Sequence, residues 1–157
     1  SRDLRPGVLD DLGLGPALKA LTEDFGIRTG IETQFNTVVF RNRLDQNAKI
    51  ALYRIAQEAL TNIERHANAT KVSIDVRGHT KGATLRIADD GQGIEPDASS
   101  HPGSGLGLRN MQERVEQLDG TLKIVSSRSG TVIVVQVPLS HMLQPEKQSP
   151  DTGKASA

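Results

Sequence analysis

The amino-acid sequence predicts an α+β domain in which helices cover one face of a mixed, mostly antiparallel sheet. Segments with alternating apolar residues follow one another closely in the second half of the chain, as the strands of antiparallel hairpins do. A long segment before them and a shorter segment between them repeat apolar residues at helical spacing. Because helices and sheet each need a partner for their apolar side, we predict a two-layer α/β sandwich.

Size and composition exclude several classes of function. The chain has 157 residues, no cysteine, and 19 basic residues against 19 acidic ones. This length suits a single domain with a tail. The lack of cysteine excludes disulfides and thiolate metal sites and fits a reducing, cytoplasmic compartment. Balanced charge and 3% aromatic residues argue against nucleic-acid binding, and no apolar run approaches the ~20 residues of a membrane span.

In the first half, two helices are expected to flank one strand. Pro16 is well placed to begin a helix, and Gly26 is expected to end it. The alternation from Ile31 to Phe40 predicts a strand. Asp45 is expected to cap a long helix that runs to about Ala67.

The second half is predicted to form two hairpins separated by a loop and a helix. Strands are expected over Lys71–Arg77 and through Leu85 into Asp89, and again over Leu122–Val125 and Thr131–Leu139. Between the hairpins, the glycine-rich segment from Ile94 to Ser104 is expected to be a mobile lid. A helix beginning near Leu108 and ending at Gly120 follows it, with Met111, Val115 and Leu118 facing inward.

Both ends of the chain are predicted to lie outside the folded domain. Residues 15–140 form the expected domain. Residues 1–14 look like the end of a preceding helix with a linker, and residues 141–157 are polar and expected to be disordered.

The long helix carries a stripe of polar residues beside its apolar side. At 100° per residue, Glu58, Asn62 and Arg65 share this stripe. Mg²⁺ prefers oxygen ligands and usually keeps several waters, so an Asn62 amide oxygen together with nucleotide phosphates would suit it. Glu58 is expected to hold a metal-bound water or to ligate the metal directly, and Arg65 to pair with phosphate. Taken alone, the stripe also fits an ordinary solvated helix face.

The sequence Asp-Asp-Gly-Gln-Gly follows the strand that ends at Asp89. A carboxylate at a strand end can accept a hydrogen bond from the exocyclic amine of adenine, and Gly91 and Gly93 allow the backbone to approach the ring closely. The same residues are also typical of a plain acidic turn.

The segment Gly103–Leu108 contains three glycines and opens a helix. Successive backbone N–H groups in such a turn can bind an anion, and the positive end of the helix favours the same anion. The segment follows a loop and not a strand, so it is not a dinucleotide-binding fingerprint, and it lacks the Gly-Lys-Ser/Thr of a P-loop. A flexible glycine-rich loop is the alternative.

Together the three motifs predict a site for ATP and Mg²⁺. Their residues also resemble those of the catalytic and ATP-binding domain of two-component sensor histidine kinases. The resemblance is strongest to the nitrate-sensor-like class paired with LuxR-type response regulators. It is carried by the segments Leu4–Pro6, Leu9–Leu14, Leu52–Asn62, Arg65–Ala67 and Gly105–Val115.

The resemblance implies the Bergerat ATPase fold, which gyrase and the mismatch-repair ATPases share. It implies that Asn62 and Glu58 act catalytically at Mg²⁺ and that Asp89 binds the adenine amine. The other expected nucleotide-binding residues are Arg65, His66, Gly91, Gly93, Ile94, Gly103, Gly105, Leu106, Gly107 and Leu108.

The implied activity is phosphoryl transfer to a histidine that this chain does not contain. None of His66, His79, His101 and His141 is followed by an acidic residue, as the acceptor histidine of such kinases is. The last three are expected to be solvated. We therefore expect the acceptor on an upstream dimerisation domain, with residues 1–14 as its exit.

Several properties of the parent protein are expectations of the same kind. We expect it to be a homodimer that passes phosphate to a LuxR-type response regulator, and the fragment to be a monomer. The location is expected to be cytoplasmic, with anchoring of the parent in the inner membrane left open. The alternatives are a non-catalytic nucleotide-binding regulatory module, a serine-directed anti-sigma-type kinase and a hydrolytic ATPase.

Overall fold

The computed structural model describes residues 13–38, 43–94 and 107–143, and these form two layers. The helices of this part of the chain are α1 (Leu14–Thr29), α2 (Gln46–Asn62) and α3 (Leu108–Gln117). The strands are β1 (Glu32–Val38), β2 (Arg43–Leu44), β3 (Lys71–His79), β4 (Gly82–Asp89), β5 (Thr121–Ser127), β6 (Gly130–Pro138) and β7 (Met142–Leu143).

Five strands form the main sheet in the order β1-β3-β4-β6-β5. Only β1 and β3 in this sheet are parallel, and the other neighbours are antiparallel, which confirms the predicted mixed sheet. The register places Phe35, Ile74, Ile87, Ile133 and Ile124 in one row across all five strands. This row faces the helices, so side chains that are far apart in the chain share one core.

Helix α2 supplies much of the apolar layer that covers this face. Leu52, Ile55 and Ala56 are fully buried on the side of α2 that faces the sheet, and a buried leucine or isoleucine stabilises the fold by about 1.5–3 kcal/mol.

On the face away from the helices, the sheet carries polar side chains. There Asp75 accepts a hydrogen bond from Asn36 (3.1 Å) and lies 3.9 Å from Arg86. The helices therefore lie on one face, as predicted.

Helix α1 continues past its predicted end at Gly26. It ends at Thr29, because Gly30 adopts a left-handed conformation (φ 77°) and its N–H donates to the carbonyl of Gly26 at 2.9 Å. Gly26 serves packing, since a Cβ there would come within 2.8 Å of the Thr33 hydroxyl. The glycine that ends the helix is the next one along the chain.

Helix α2 begins and ends as predicted. The side chain of Asp45 accepts a hydrogen bond from the N–H of Ala48 at 2.8 Å, which caps the helix. The last turn, Ile63–Ala67, is π-helical, and Asn68 (φ 50°) ends it. A π-helical turn carries more residues per turn than an α-helix and occurs frequently at functional sites.

The predicted disordered tail does not begin at residue 141. Leu139–His141 forms a 3-10 turn, and β7 then pairs with β2. His141 Nδ1 lies 2.8 Å from Asp45 Oδ2, and the N–H of Asp45 donates to the His141 carbonyl at 2.7 Å. His141 is therefore partly buried and not solvated, because a partner distant in the chain orders it.

Within the described ranges, no helix combines the length and the apolar character that crossing a membrane requires.

Candidate functional site

A pocket lies between the end of α2, the end of β4 and the start of α3. It brings together six of the side chains or glycines that the sequence predicted for the nucleotide site: Asn62, His66, Asp89, Gly93, Ile94 and Leu108. Its remaining walls are Ala59, Ile63, Thr131 and Ile133. Two motifs from different elements, and the helix that follows the third, therefore converge on one hollow.

The pocket is narrow in this structure. Its volume is about 30 Å³, far below the roughly 300–1,000 Å³ of ligand pockets. A purine ring therefore enters only when the walls separate.

Asp89 is the acidic group of the pocket, and it is partly buried. Its Oδ1 accepts a hydrogen bond from the N–H of Gly91 at 2.8 Å. Burial raises the pKa of the Asp89 carboxyl, and the backbone N–H groups of Gly91 and Thr131 oppose this shift. A carboxylate kept partly out of water favours an additional donor, and an exocyclic amine would supply one.

The neighbouring Asp90 has a different role. It is fully exposed and binds the start of β3: Oδ1 accepts from the N–H groups of Thr70 and Lys71 (2.8 and 2.9 Å), and Oδ2 accepts from the Thr70 hydroxyl (2.6 Å). The Thr70 hydroxyl, followed by the backbone N–H groups of Lys71 and Thr70, lowers the pKa of Asp90 to about 2. Asp90 thus anchors the loop that carries Asp89.

Gly93 fits against the hairpin of β5 and β6. Its φ is 83°, and a Cβ there would collide with the Ser127 carbonyl oxygen, so only glycine fits. The next residue, Ile94, donates its N–H to the Ser126 hydroxyl at 2.7 Å. That hydroxyl lies 2.9 Å from the hydroxyl of Thr131. The pocket wall is therefore fixed to the sheet through polar contacts.

Asn62 and the π-helical turn form the opposite wall. Asn62 is the last residue of α2, and its amide oxygen is buried. The turn brings Ile63 and His66 to the same pocket. The carbonyl of His66 accepts a hydrogen bond from the Gln92 side chain at 2.7 Å, which joins this wall to the loop after β4.

Arg65 does not line this pocket. It is exposed and lines a groove between α1 and α2, together with Arg28 and Glu64. A regular α-helix turns about 100° per residue, but the π-helical turn rotates Arg65 less. This separates Arg65 from Asn62, although Glu58 of the same predicted stripe still lines the groove with Arg65.

Glu58 lies one turn before Asn62 and faces a neighbouring region. It does not line this pocket, and its carboxylate lies against Gly107 at the start of α3. Gly107 adopts φ 65°, and a Cβ there would overlap Glu58. Gly107 is thus a position of close approach between α2 and α3, and its predicted role in nucleotide binding stays a prediction.

The rest of the glycine-rich segment lies outside the described residues. This applies to Gly103, Gly105 and Leu106 and to the predicted lid beyond Ile94.

Thr131 is the residue that the sequence argument missed. It is only 6% exposed and lies in the pocket wall, opposite Asp89 in the strand register. The signal was present, since Thr131 shares the inward face of β6 with Ile133, Val135 and Val137, and a buried threonine in such a row needs polar partners.

Residues 47–141 match the family described as histidine kinase-, DNA gyrase B- and HSP90-like ATPases. The chain belongs to this family. It is therefore an ATP-binding domain, as the three motifs predicted.

Two relatives are histidine kinases. The chain is 47% identical over 141 residues to sensor histidine kinase MctS of Rhizobium johnstonii. It is 37% identical over 139 residues to DegS of Brevibacillus brevis, a signal transduction histidine-protein kinase/phosphatase. These matches cover 89% and 88% of this chain but only 31% and 36% of the relatives. The chain thus spans about a third of their length.

Solved structures confirm the predicted fold. The histidine kinase domain of the blue-light activated histidine kinase EL346 from Erythrobacter litoralis superposes with a TM-score of 0.65 at 20% identity, over 81% of this chain and 61% of that one. The nucleotide-free catalytic domain of histidine kinase ThkA gives a TM-score of 0.64 at 18% identity, over 80% and 89%.

Proposed function

We propose that this chain is the catalytic domain of a sensor histidine kinase. It binds Mg·ATP between α2, β4 and α3 and presents the terminal phosphate to a histidine on a separate helical domain. The convergence of Asn62 and Asp89 on one pocket carries the proposal. Membership in the ATPase family and the likeness to MctS and DegS support it.

Asp89 is proposed to select the base. Its partly buried carboxylate accepts a hydrogen bond from the adenine amine, while Gly91 holds it in place with a backbone N–H. Gly93 lets the loop backbone approach the ring, and Thr131 completes the polar edge of the pocket.

Asn62 is proposed to hold the metal ion. Among the described residues, no group of three or more His, Cys, Asp or Glu side chains could bind a metal without help. Mg²⁺ does not need such a group, because it is usually bound by one or two side-chain oxygens, water and substrate phosphates. The buried amide oxygen of Asn62 suits this chemistry, and Glu58, one turn away, is placed to bind a water of the metal. The bound metal would neutralise phosphate charge.

The domain's contribution to phosphoryl transfer is position and charge. The histidine nitrogen of the acceptor attacks the terminal phosphorus, the bond from phosphorus to the oxygen of ADP breaks, and the imidazole proton leaves to a base outside this chain. Little covalent chemistry falls to the protein in such a transfer, so holding the nucleotide in line is the main requirement.

The remaining partners follow from this reaction. The acceptor histidine and the dimer contacts belong to an upstream helical domain, and the phosphate then passes to a response regulator of the LuxR type. The parent acts as a homodimer with this domain in the cytoplasm, where ATP is available. The isolated domain is a monomer.

Nucleotide binding is tested by thermal unfolding with and without Mg·ADP. A ligand at 100 times its dissociation constant stabilises a protein by ~2.7 kcal/mol, so the midpoint should rise clearly at millimolar Mg·ADP. An unchanged midpoint would refute the proposed site.

Phosphoryl transfer is tested with labelled ATP and an acceptor protein. A suitable acceptor is full-length MctS whose own ATP site has been disabled. We expect transfer by the wild-type domain and loss of it in Asn62→Ala, and the label should be acid-labile, as phosphohistidine is. Equal transfer by both proteins would contradict the assignment, and acid-stable label would indicate a serine-directed kinase.

A further inference from the structure

A second, polar pocket lies between α2 and α3 and shares Glu58 with the proposed metal site. Its polar walls are Arg54, Gln57, Glu58, Asn110 and Arg114, and the buried Ile55 and Met111 complete it. Its volume is about 110 Å³. We call it the arginine pocket.

Two arginines from different helices meet in the arginine pocket. Arg54 comes from α2 and Arg114 from α3. Within the part of the chain that the structure describes, neither forms an ion pair within 4.0 Å, although Arg28 and Arg109 do so with Glu64 and Glu113. Arg54 donates one hydrogen bond, to Gln57 at 3.3 Å. A guanidinium has five N–H donors, so the pair retains ample capacity for an anion.

The charge of the arginine pocket favours a single negative charge. Two guanidinium groups and the Glu58 carboxylate sum to one net positive charge. A carboxylate neutralises this charge, whereas a phosphate group, at about −1.5 to −2, would leave an excess beside Glu58. Arginine also binds a carboxylate through two parallel hydrogen bonds.

The size of the pocket leads to the same ligand. A volume of about 110 Å³ is that of a few water molecules. It accommodates the head of one acidic side chain without any movement of the walls.

The position of the arginine pocket relates it to the proposed reaction. Arg54 precedes Asn62 by two turns of α2, or ~12 Å along the helix axis. Glu58 lies between them and touches Gly107. We call the pocket lined by Asn62 and Asp89 the purine pocket. The arginine pocket and the purine pocket therefore lie on the two sides of the contact between Glu58 and Gly107. A protein bound in the arginine pocket is held next to a nucleotide bound in the purine pocket.

We propose that the arginine pocket binds an acidic side chain of the protein that receives the phosphate. Arg54 and Arg114 form a docking site for that carboxylate, and Asn110 and Gln57 supply further polar contacts. They are positioning residues, which hold the acceptor protein and do not touch the reacting atoms. This inference rests on the proposed kinase function.

Transfer kinetics test the proposal with full-length MctS, disabled in its own ATP site, as the acceptor. Arg54→Gln and Arg114→Gln should each raise the KM for the acceptor about tenfold or more and leave kcat and the affinity for Mg·ADP unchanged. Arg54→Lys, which keeps the charge but loses the paired hydrogen bonds, should fall between wild type and Arg54→Gln. Arg109→Gln is the matched control, because Arg109 lies on α3 outside the pocket and is 93% exposed.

Direct binding of the acceptor, measured with Mg·ADP present, separates this inference from the kinase function. If transfer fails in the wild type but the two arginine variants still weaken acceptor binding, the pocket stands and the kinase proposal falls. Three results would overturn the proposed role of the arginine pocket. The first is that the wild type fails to bind the acceptor, and the second is that Arg54→Gln and Arg114→Gln bind it as Arg109→Gln does. The third result is that these two variants weaken Mg·ATP binding while the acceptor KM stays unchanged, since the pocket would then bind nucleotide phosphate.

Discussion

Replacing Asp89 by asparagine should change which purine the pocket prefers. The carboxylate of Asp89 already accepts a backbone hydrogen bond from Gly91 at 2.8 Å, and the Thr131 N–H also interacts with it. An adenine amine would be a third donor. An asparagine has a single acceptor oxygen, so its NH₂ group must face at least one of these three donors.

The expected loss follows from the bond that is removed. A hydrogen bond to a charged group contributes about 1.5–3 kcal/mol, which corresponds to roughly 10- to 150-fold in the dissociation constant. Asp89→Asn should therefore weaken Mg·ADP by at least about tenfold. Inosine diphosphate carries an acceptor oxygen where adenine has its amine, so the wild type should bind it more weakly than ADP. In Asp89→Asn, the amide NH₂ can donate to that oxygen, and the preference for ADP should narrow or reverse.

Isothermal titration calorimetry with Mg·ADP and Mg·IDP measures both effects. Asp90→Asn is the matched control, because the new amide oxygen can still accept the N–H groups of Thr70 and Lys71 that anchor the loop, and the side chain lies outside the purine pocket. It should leave both affinities within about twofold of wild type. The reasoning fails if Asp89→Asn keeps its ADP affinity and its preference over IDP, or if Asp90→Asn loses as much as Asp89→Asn does.

Three further predictions concern pH and backbone packing. Burial raises the pKa of Asp89, and the ionised carboxylate accepts the adenine amine more strongly than the protonated carboxyl does. ADP affinity should therefore be full near neutral pH and fall as pH drops through that pKa, whereas titrations of Asp89→Asn should lack this loss. The folded-state pKa of Asp90, about 2, lies below the ordinary 3.8, so its stabilisation is present above pH ~4 and is lost as pH falls through 2. Denaturant midpoints should show Asp90→Asn less stable than wild type at pH 7, with a gap that closes near pH 2. Gly130→Ala should unfold at lower temperature than the wild type, because its Cβ would collide with the Asp89 carbonyl oxygen. Overpacking of this kind typically costs about 1–3 kcal/mol of stability. For a domain of this size, each kcal/mol lowers the unfolding midpoint by roughly 2–4 °C. Gly30→Ala shares the positive φ but meets no atom within 4 Å, so calorimetric scans should show a smaller decrease for it.

Local patterns in the sequence predicted most of the secondary structure. The apolar period of α2, its cap at Asp45 and the alternating strands are each determined by neighbouring residues, and all are present in the fold. Long-range partners could not be predicted in this way. His141 reads as part of a polar tail, yet Asp45 orders it from 96 positions away.

The sequence also predicted that residues of these motifs would meet, as they do in one pocket, but not the geometry within each motif. Asp89 and Asp90 are chemically identical neighbours, and only the pairing of β4 with β6 and of the loop with Thr70 shows that one faces the pocket and the other anchors the turn. Arg65 lies apart from the pocket of Asn62, because a regular helical period does not reveal a π-helical turn. Motif identity is therefore local information, whereas the direction of each side chain depends on the rest of the fold.

Helix α2 explains how one domain can hold a nucleotide and a protein next to each other. Asn62 at its end faces the purine pocket, whereas Arg54, two turns earlier, faces the arginine pocket. Between them, Glu58 rests on Gly107, where a side chain would displace the Glu58 carboxylate. Since both pockets have one wall on α2 and one on α3, the separation of these two helices fixes the width of both. A change at the Glu58–Gly107 contact therefore acts on base binding and on acceptor docking together, while changes at Asp89 or Arg54 act on one alone.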